Sequence, residues 1–205
     1  MNDITILDYG SGNILSIYNG FKKIGTQVNV SDDKKVIEDS DAIILPGVGA
    51  YGAVMNNLVN YKDLIYEHID NNKPLLGICL GLQVLFTNSE ESPNVEGLNI
   101  FEGNVRRFNL PQEYKIPHMG WNQIKVNKTN SNNTLLLENV DDEYMYFVHS
   151  YYIEPEDKDL ITAYCDYGMN VPVAIGKDNI HALQFHPEKS GKAGLEILRN
   201  FVDII

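Results

Sequence analysis

Apolar positions follow one rhythm up to about Asn88 and another beyond it. Ile4 to Asp8 is a short apolar run that reads as a buried strand. After the turn Tyr9-Gly10-Ser11-Gly12-Asn13, residues Ile14, Ile17, Tyr18, Phe21 and Ile24 recur at helical spacing. That predicts a helix ending at Gly25. Val28 to Val30 reads as a strand and the charged segment to Ser40 as a short helix. Ala42-Ile43-Ile44-Leu45 reads as another buried strand, ended by Pro46 and a glycine-rich loop through Gly52. Met55, Leu58 and Val59, then Leu64, Ile65 and Ile69, predict one or two helices. Lys73 to Ile78 reads as a strand, and Leu82, Leu85 and Phe86 predict a helix after it. Strands and helices thus alternate through residue 87. This is the mark of an α/β fold, a doubly wound, mostly parallel sheet with helices on both faces.

From Asn88 to Glu96 the chain is polar and reads as loop. Short apolar runs follow: Val105 to Phe108, Trp121 to Val126, Leu135 to Leu137, Tyr144 to Ile153, Ile161 to Tyr164, Val171 to Ile175 and Ile180 to Phe185. They predict an added, more antiparallel layer in the C-terminal half. The end returns to a helix, with Ser190 as N-cap and Leu195, Leu198, Phe201 and Val202 on one face. There is no repeat, low-complexity linker or evident boundary, so residues 1–205 predict a single domain.

Composition narrows the function classes. The net charge is -12, from 28 acidic and 16 basic residues. A nucleic-acid partner would call for a basic patch, so that class is disfavoured. Cys79 and Cys165 are the 2 cysteines, too few for a disulfide framework, which points to a reducing compartment. The first residues lack the features of a signal peptide. No run approaches the roughly 20 apolar residues of a membrane span. The expectation is a cytoplasmic protein with no membrane partner.

The stretch that carries chemistry is Gly77-Ile78-Cys79-Leu80-Gly81. It has the form of the G-x-S-x-G nucleophile elbow, with sulfur in place of oxygen. A sharp strand-to-helix turn explains the glycines, since a side chain at 77 or 81 would clash. It also puts residue 79 at a helix N-terminus, which favours a thiolate. The competing reading is a buried cysteine that merely fills the core.

A catalytic thiol needs a base, and the base an orienter. Of the 5 histidines, His68 reads as a solvated helix residue and His181 opens a strand with no acid nearby. His186 closes a strand and is followed by Pro187-Glu188. Pro187 cannot continue a central strand, so His186 falls at the sheet edge where α/β folds bind ligands. Glu188 is placed to accept from one ring nitrogen. The plainer alternative is a strand-end histidine beside a surface acid. The loop Pro46-Gly47-Val48-Gly49-Ala50-Tyr51-Gly52 also has two readings. Gly47-x-Gly49-x-x-Gly52 matches the dinucleotide fingerprint. Alternatively its N–H groups, with that of Leu80, hold a developing oxyanion.

Taken together, Gly77-Ile78-Cys79-Leu80-Gly81-Leu82-Gln83 and His186-Pro187-Glu188 resemble the class I (triad-type) glutamine amidotransferases. Asp8-Tyr9-Gly10-Ser11-Gly12-Asn13, Pro117-His118-Met119-Gly120-Trp121-Asn122, Phe147-Val148-His149-Ser150-Tyr151-Tyr152 and the Lys189-Ser190 that follows Glu188 narrow the resemblance. They match the branch that serves histidine biosynthesis, and Leu82 supports it. The resemblance spans Asp8 to Ser190. It implies a glutaminase that makes glutamate and ammonia from L-glutamine through a thioester, with no cofactor and no metal. Cys79 would be the nucleophile, His186 the base and Glu188 its orienter. Leu80 and Val48 or Gly49 would stabilise the oxyanion, Gln83 would lie beside the substrate, and the backbone of His149, Ser150 and Tyr151 would hold its α-groups. The resemblance further implies a heterodimer with a (β/α)₈-barrel cyclase, which uses the ammonia to make imidazole glycerol phosphate and an aminoimidazole carboxamide ribotide. Asn13, Trp121, Asn122, Tyr146 and Lys189 are the interface candidates. For Trp121 a core position is the alternative, since large aromatics usually pack inside. A nucleotide-binding module with a structural Cys79, and a cysteine hydrolase acting without a partner, are the other functions the residues allow.

Overall fold

The computed structural model describes residues 2–129 and 135–205. Its first half is built from β1 (Ile4–Leu7), α1 (Ile14–Lys23), β2 (Asn29–Ser31), α2 (Lys34–Asp39), β3 (Ala42–Leu45), α3 (Tyr51–Leu58), α4 (Lys62–Asp70) and β4 (Leu75–Ile78). A single helical turn, α5 (Leu80–Gln83), follows β4. Then come β5 (Phe86–Ser89), β6 (Phe101–Arg107), β7 (His118–Val126), β8 (Tyr144–His149), β9 (Tyr151–Pro155), β10 (Ile161–Asp166), β11 (Asn170–Lys177) and β12 (Ile180–Leu183). Helix α6 (Gly191–Ile204) closes the chain.

Nine strands form the main sheet, in the order β2-β1-β3-β4-β12-β11-β10-β7-β8. From β2 to β12 neighbouring strands are parallel, and from β12 to β8 they are antiparallel. The strands alternate their side chains between two apolar clusters. Ile4, Ile6, Ile44, Leu76 and Ile78 face one side, where Ile17 and Phe21 of α1 and Ile197, Leu198 and Phe201 of α6 cover them. Leu7, Ile43, Leu45 and Leu75 face the other, against Tyr51, Val54, Met55, Leu58 and Ile65 of α3 and α4. The parallel strands are buried on both faces, which is why they read as continuous apolar runs. A second sheet, β5-β6-β9, packs on the α3–α4 side through Phe86, Phe101, Val105 and Ile153.

The alternating first half and the antiparallel layer follow the sequence pattern. Four local expectations change. Phe86 lies in β5 rather than in the helix after Cys79, and β5 also takes Asn88 and Ser89 out of the expected loop. Phe86 pairs with Phe101 of β6, a long-range contact that overrides local helical spacing. Leu135–Leu137 is a 3₁₀ turn rather than a strand. The run Tyr144 to Ile153 is two strands in different sheets, parted at Ser150, whose carbonyl accepts from Phe108 N at 3.1 Å. Ser190 does precede α6, but its hydroxyl does not cap it. It donates to the His186 carbonyl at 2.6 Å and accepts from Tyr146 N at 3.0 Å, tying the segment after β12 to β8.

The glycines of the elbow are required by contact. A Cβ on Gly81 would stand 2.0 Å from the Leu45 carbonyl oxygen, and one on Gly77 2.8 Å from the Gly81 oxygen. Both neighbours are backbone, so neither can rotate away. Gly81→Ala is therefore expected to lower the unfolding free energy by about 3 kcal/mol or more, the upper range of overpacking costs. Urea unfolding of the variant measures this, and wild-type stability would refute it.

Candidate active site

Three adjacent parallel strands, β3, β4 and β12, end at one edge of the sheet. The loop after β3 carries Gly47 to Ala50, the end of β4 carries Cys79, and the segment after β12 carries His186 and Glu188. Strand order thus brings together what the sequence holds far apart. Cys79 has φ +57° and ψ −110°, a conformation rare for a residue with a side chain. Its N–H donates to Leu183 O at 2.7 Å, which fixes the turn to the end of β12.

His186 Nδ1 lies 2.9 Å from Glu188 Oε1, with both side chains buried. Its other nitrogen, Nε2, is buried without a hydrogen-bond partner. His186 and Cys79 line the same cavity, of about 310 Å³. Burial opposes a charge on His186, but Cys79 and Glu188 outweigh it and raise the pKa to about 9. At neutral pH this imidazole therefore holds a proton on each nitrogen, one turned to Glu188 and one available in the cavity.

Val48, Gly49, Leu80, Gln83, His149, Ser150 and Tyr151 all line that cavity. The loop after β3 lies backbone to backbone on the elbow, which favours the oxyanion reading over the dinucleotide one. One expectation changes here. Leu80 N–H is not free, because it donates to Gly47 O at 3.3 Å. A trans peptide points its N–H opposite to its C=O, so the Val48 N–H faces away from the elbow. The neighbouring carbonyls are held from outside the loop. Tyr9 Oη donates to Pro46 O, and Ser11 Oγ to Val48 O at 2.7 Å. The Gly47–Val48 peptide is the link between these two ties.

Two residues were not singled out from sequence. Glu91 lines the cavity, and its Oε2 accepts from Tyr51 N at 3.0 Å. It lay in a segment that reads as polar loop, with no motif to mark it. Gln184 is fully buried; its Oε1 accepts from Gln83 Nε2 at 2.9 Å, and its Nε2 reaches Cys79 Sγ at 3.8 Å. A glutamine inside an apolar run was the available signal.

None of the interface candidates lines the cavity, although Tyr146 O accepts from His186 N at 3.0 Å. Trp121 is 55% exposed, so it is not a core residue. Its ring meets Tyr146 edge-on at 6.1 Å, and Lys189 Nζ stands 5.8 Å from the Tyr146 ring centre. Asn13 is half-buried and directly precedes α1. The half-buried Asn122 side chain donates to Asp166 O at 2.8 Å. His68, expected on a solvated face, is buried with Nε2 3.0 Å from Pro74 O. Cys165 is buried and its thiol is pushed up to about 12 by desolvation, leaving Cys79 as the reactive candidate. Among the described residues no group of three or more His, Cys, Asp or Glu could hold a metal ion, and no helix is long and apolar enough to cross a membrane.

The model of the glutamine amidotransferase class-I family matches residues 5–205. A relative from Methanothermobacter thermautotrophicus, imidazole glycerol phosphate synthase subunit HisH, is 52% identical over 202 residues, covering 98% of each chain. HisH subunits from Syntrophotalea carbinolica and Methanocaldococcus jannaschii are each 44% identical, covering 98% of this chain and 100% of their own. Among solved structures, a glutamine amidotransferase superposes with TM-score 0.76 at 18% identity, covering 98% of this chain and 97% of that one. The PurLQS structure from Thermotoga maritima gives 0.72 at 19%, covering 100% and 99%. At such identities these two speak for the fold alone.

The histidines also set a pH dependence. Desolvation lowers His68, His118 and His181 to about 4 and His149 to about 3, against 6.5 in the unfolded chain. Their stabilisation is present above about pH 6.5 and is lost as pH falls toward 4. While a group is neutral in the fold and charged in the unfolded chain, each pH unit costs about 1.4 kcal/mol. His186 has the opposite sign, and its contribution is lost as pH rises from 6.5 through about 9. Urea unfolding across pH is expected to show a steep acid limb between about 6.5 and 4, because four such groups act together. A flat limb there would contradict the burial of four neutral histidines.

Proposed function

The chain belongs to the class I glutamine amidotransferases, among the HisH subunits of imidazole glycerol phosphate synthase, and from that premise we propose how its residues divide the work. It is a glutaminase subunit of histidine biosynthesis, releasing ammonia from L-glutamine for a cyclase subunit. The cyclase uses that ammonia to make imidazole glycerol phosphate and aminoimidazole carboxamide ribotide.

Cys79 attacks the side-chain amide carbon of glutamine as the thiolate, the nucleophilic form. His186, already protonated on both nitrogens, gives the Nε2 proton to the departing nitrogen, which leaves as ammonia. Water then attacks the thioester with the now neutral His186 as base, releasing glutamate and restoring the Cys79 thiolate beside protonated His186. Glu188 holds Nδ1 so that Nε2 faces the reaction. The observation that carries this reading is the buried His186–Glu188 pair at 2.9 Å, with His186 Nε2 unpartnered beside the Cys79 cavity.

Backbone groups of His149, Ser150 and Tyr151 hold the α-amino and α-carboxylate of the substrate. Glu91 supplies a negative charge for the α-ammonium, and Gln83 lies alongside. Leu80 N–H and Val48 N–H together hold the tetrahedral oxyanion once the Gly47–Val48 peptide turns over; Gly49 N–H is the alternative second donor. The ties from Tyr9 and Ser11 support a local turn of that one peptide. The cyclase is a (β/α)₈ barrel forming a heterodimer with this chain. It docks over Trp121, Tyr146 and Lys189, which lie together, and over Asn13 and Asn122.

Cys79→Ala is expected to remove glutamate production entirely while leaving the unfolding midpoint near wild type. Glu91→Gln in the same assay should raise KM for glutamine with little change in kcat, since the α-ammonium takes no part in the chemistry. Turnover surviving in Cys79→Ala would sink the mechanism, and an unchanged KM in Glu91→Gln would remove that residue from the site.

A further inference from the structure

A continuous run of hydrogen bonds crosses the interior from β7 to the thiol. Asn122 Nδ2 donates to Asp166 O at 2.8 Å and to His118 Nε2 at 3.4 Å. His118 Nδ1 is 3.1 Å from His149 Nε2, and His149 Nδ1 is 2.8 Å from the Tyr151 carbonyl. That carbonyl also accepts from Gln83 Nε2 at 3.2 Å. Gln83 goes on to Gln184, and Gln184 to Cys79 Sγ.

Chemistry sets the direction of each step. A carbonyl only accepts, so His149 carries a proton on Nδ1. When its ring is neutral, Nε2 accepts, and His118 must donate through Nδ1. His118 Nε2 is then an acceptor for the Asn122 amide. Asn122 Oδ1 accepts from Gln123 N at 2.8 Å, which fixes the amide the right way round. The run closes without conflict when both rings are neutral Nδ1–H tautomers. Desolvation keeps both rings neutral at physiological pH.

Packing alone would account for part of this, since the His118 ring stacks between Phe147 at 4.7 Å and Tyr167 at 3.8 Å. Packing does not require the run to end where it does. The Tyr151 carbonyl has two donors, one from His149 and one from Gln83, and Tyr151, His149 and Gln83 all line the cavity. Removing the histidine donor leaves Gln83 the sole tie on that carbonyl.

We propose that His118 and His149, as a pair of Nδ1–H tautomers, are positioning residues that hold the Tyr151 carbonyl and, through Gln83 and Gln184, the place of Cys79 Sγ against the substrate. Asn122 anchors the outer end. The kinetic part rests on the glutaminase reading; the tautomer part does not.

Long-range ¹H–¹⁵N correlation on ring-labelled protein reads the tautomers directly. Both rings should show a protonated Nδ1 and a bare Nε2, and an Nε2–H form at either ring would overturn the proposal. The kinetic arm uses the complex with the cyclase. His118→Phe keeps a ring in the stack but cannot donate. It should raise KM for glutamine about tenfold, the effect of one hydrogen bond, with a smaller change in kcat. His149→Asn places an amide donor where Nδ1 stood, whereas His149→Ala has none. The Asn variant should stay within about threefold of the wild-type KM while the Ala variant rises about tenfold. Equal KM values for His149→Asn and His149→Ala would overturn the positioning role even if His118→Phe fails to fold. A wild-type complex without glutaminase activity would instead refute the glutaminase reading, with the ring signals still deciding the tautomers.

Discussion

The backbone of Cys79 is the constraint on which the site depends. Holding a residue in so sparsely populated a φ/ψ region costs roughly 1–3 kcal/mol. The fold holds it there by bonds on both sides. Cys79 N–H is tied to Leu183 of β12, and Leu80 N–H to Gly47 at the end of β3. β4 lies between those two strands, so the turn that carries Cys79 is braced by the segment that leads to His186 and by the loop after β3. The same contacts leave no room for a side chain at Gly77 or Gly81. Strand order, strain and chemistry are thus one arrangement.

Burial acts in opposite directions on one residue type. Four histidines lose solvent without gaining an ionic partner, and their pKa values fall. His186 is also buried but faces Cys79 and Glu188, and its pKa rises. In a low dielectric the partner decides the charge state. The neutral pair His118 and His149 can therefore serve as directed hydrogen-bond groups, whereas His186 holds its charge beside Cys79 and Glu188.

Much of this was legible in the residues. Buried parallel strands such as Ala42 to Leu45 announce themselves as apolar runs, and Gly77-x-Cys79-x-Gly81 as a turn with a nucleophile. His186-Pro187-Glu188 states its own geometry, because proline ends the strand and holds the two side chains near each other. What was hidden depends on partners distant in sequence. Phe86 reads as helix until Phe101 pairs with it, and Tyr144 to Ile153 reads as one strand until two sheets claim its halves. His68 reads as solvated because nothing local shows that Pro74 lies over it. Glu91 and Gln184 carry no motif and gain meaning only from the cavity and from Cys79. The Leu80 N–H could be located from sequence, but its engagement with Gly47 is a matter of one peptide's rotation.

The orientation of that peptide is testable: Cys79, His186 and Glu188, the proposed nucleophile, base and orienter, sit at one sheet edge, while Leu80 N–H is engaged by Gly47 O. One oxyanion donor is worth on the order of 10²–10³ in rate. The decisive measurement is the glutaminase rate of this chain alone, then with the cyclase subunit, then with the cyclase and its bound ligand. A low rate alone and a rise of at least about a hundredfold in the liganded complex are expected. Full activity in the isolated chain would contradict that expectation.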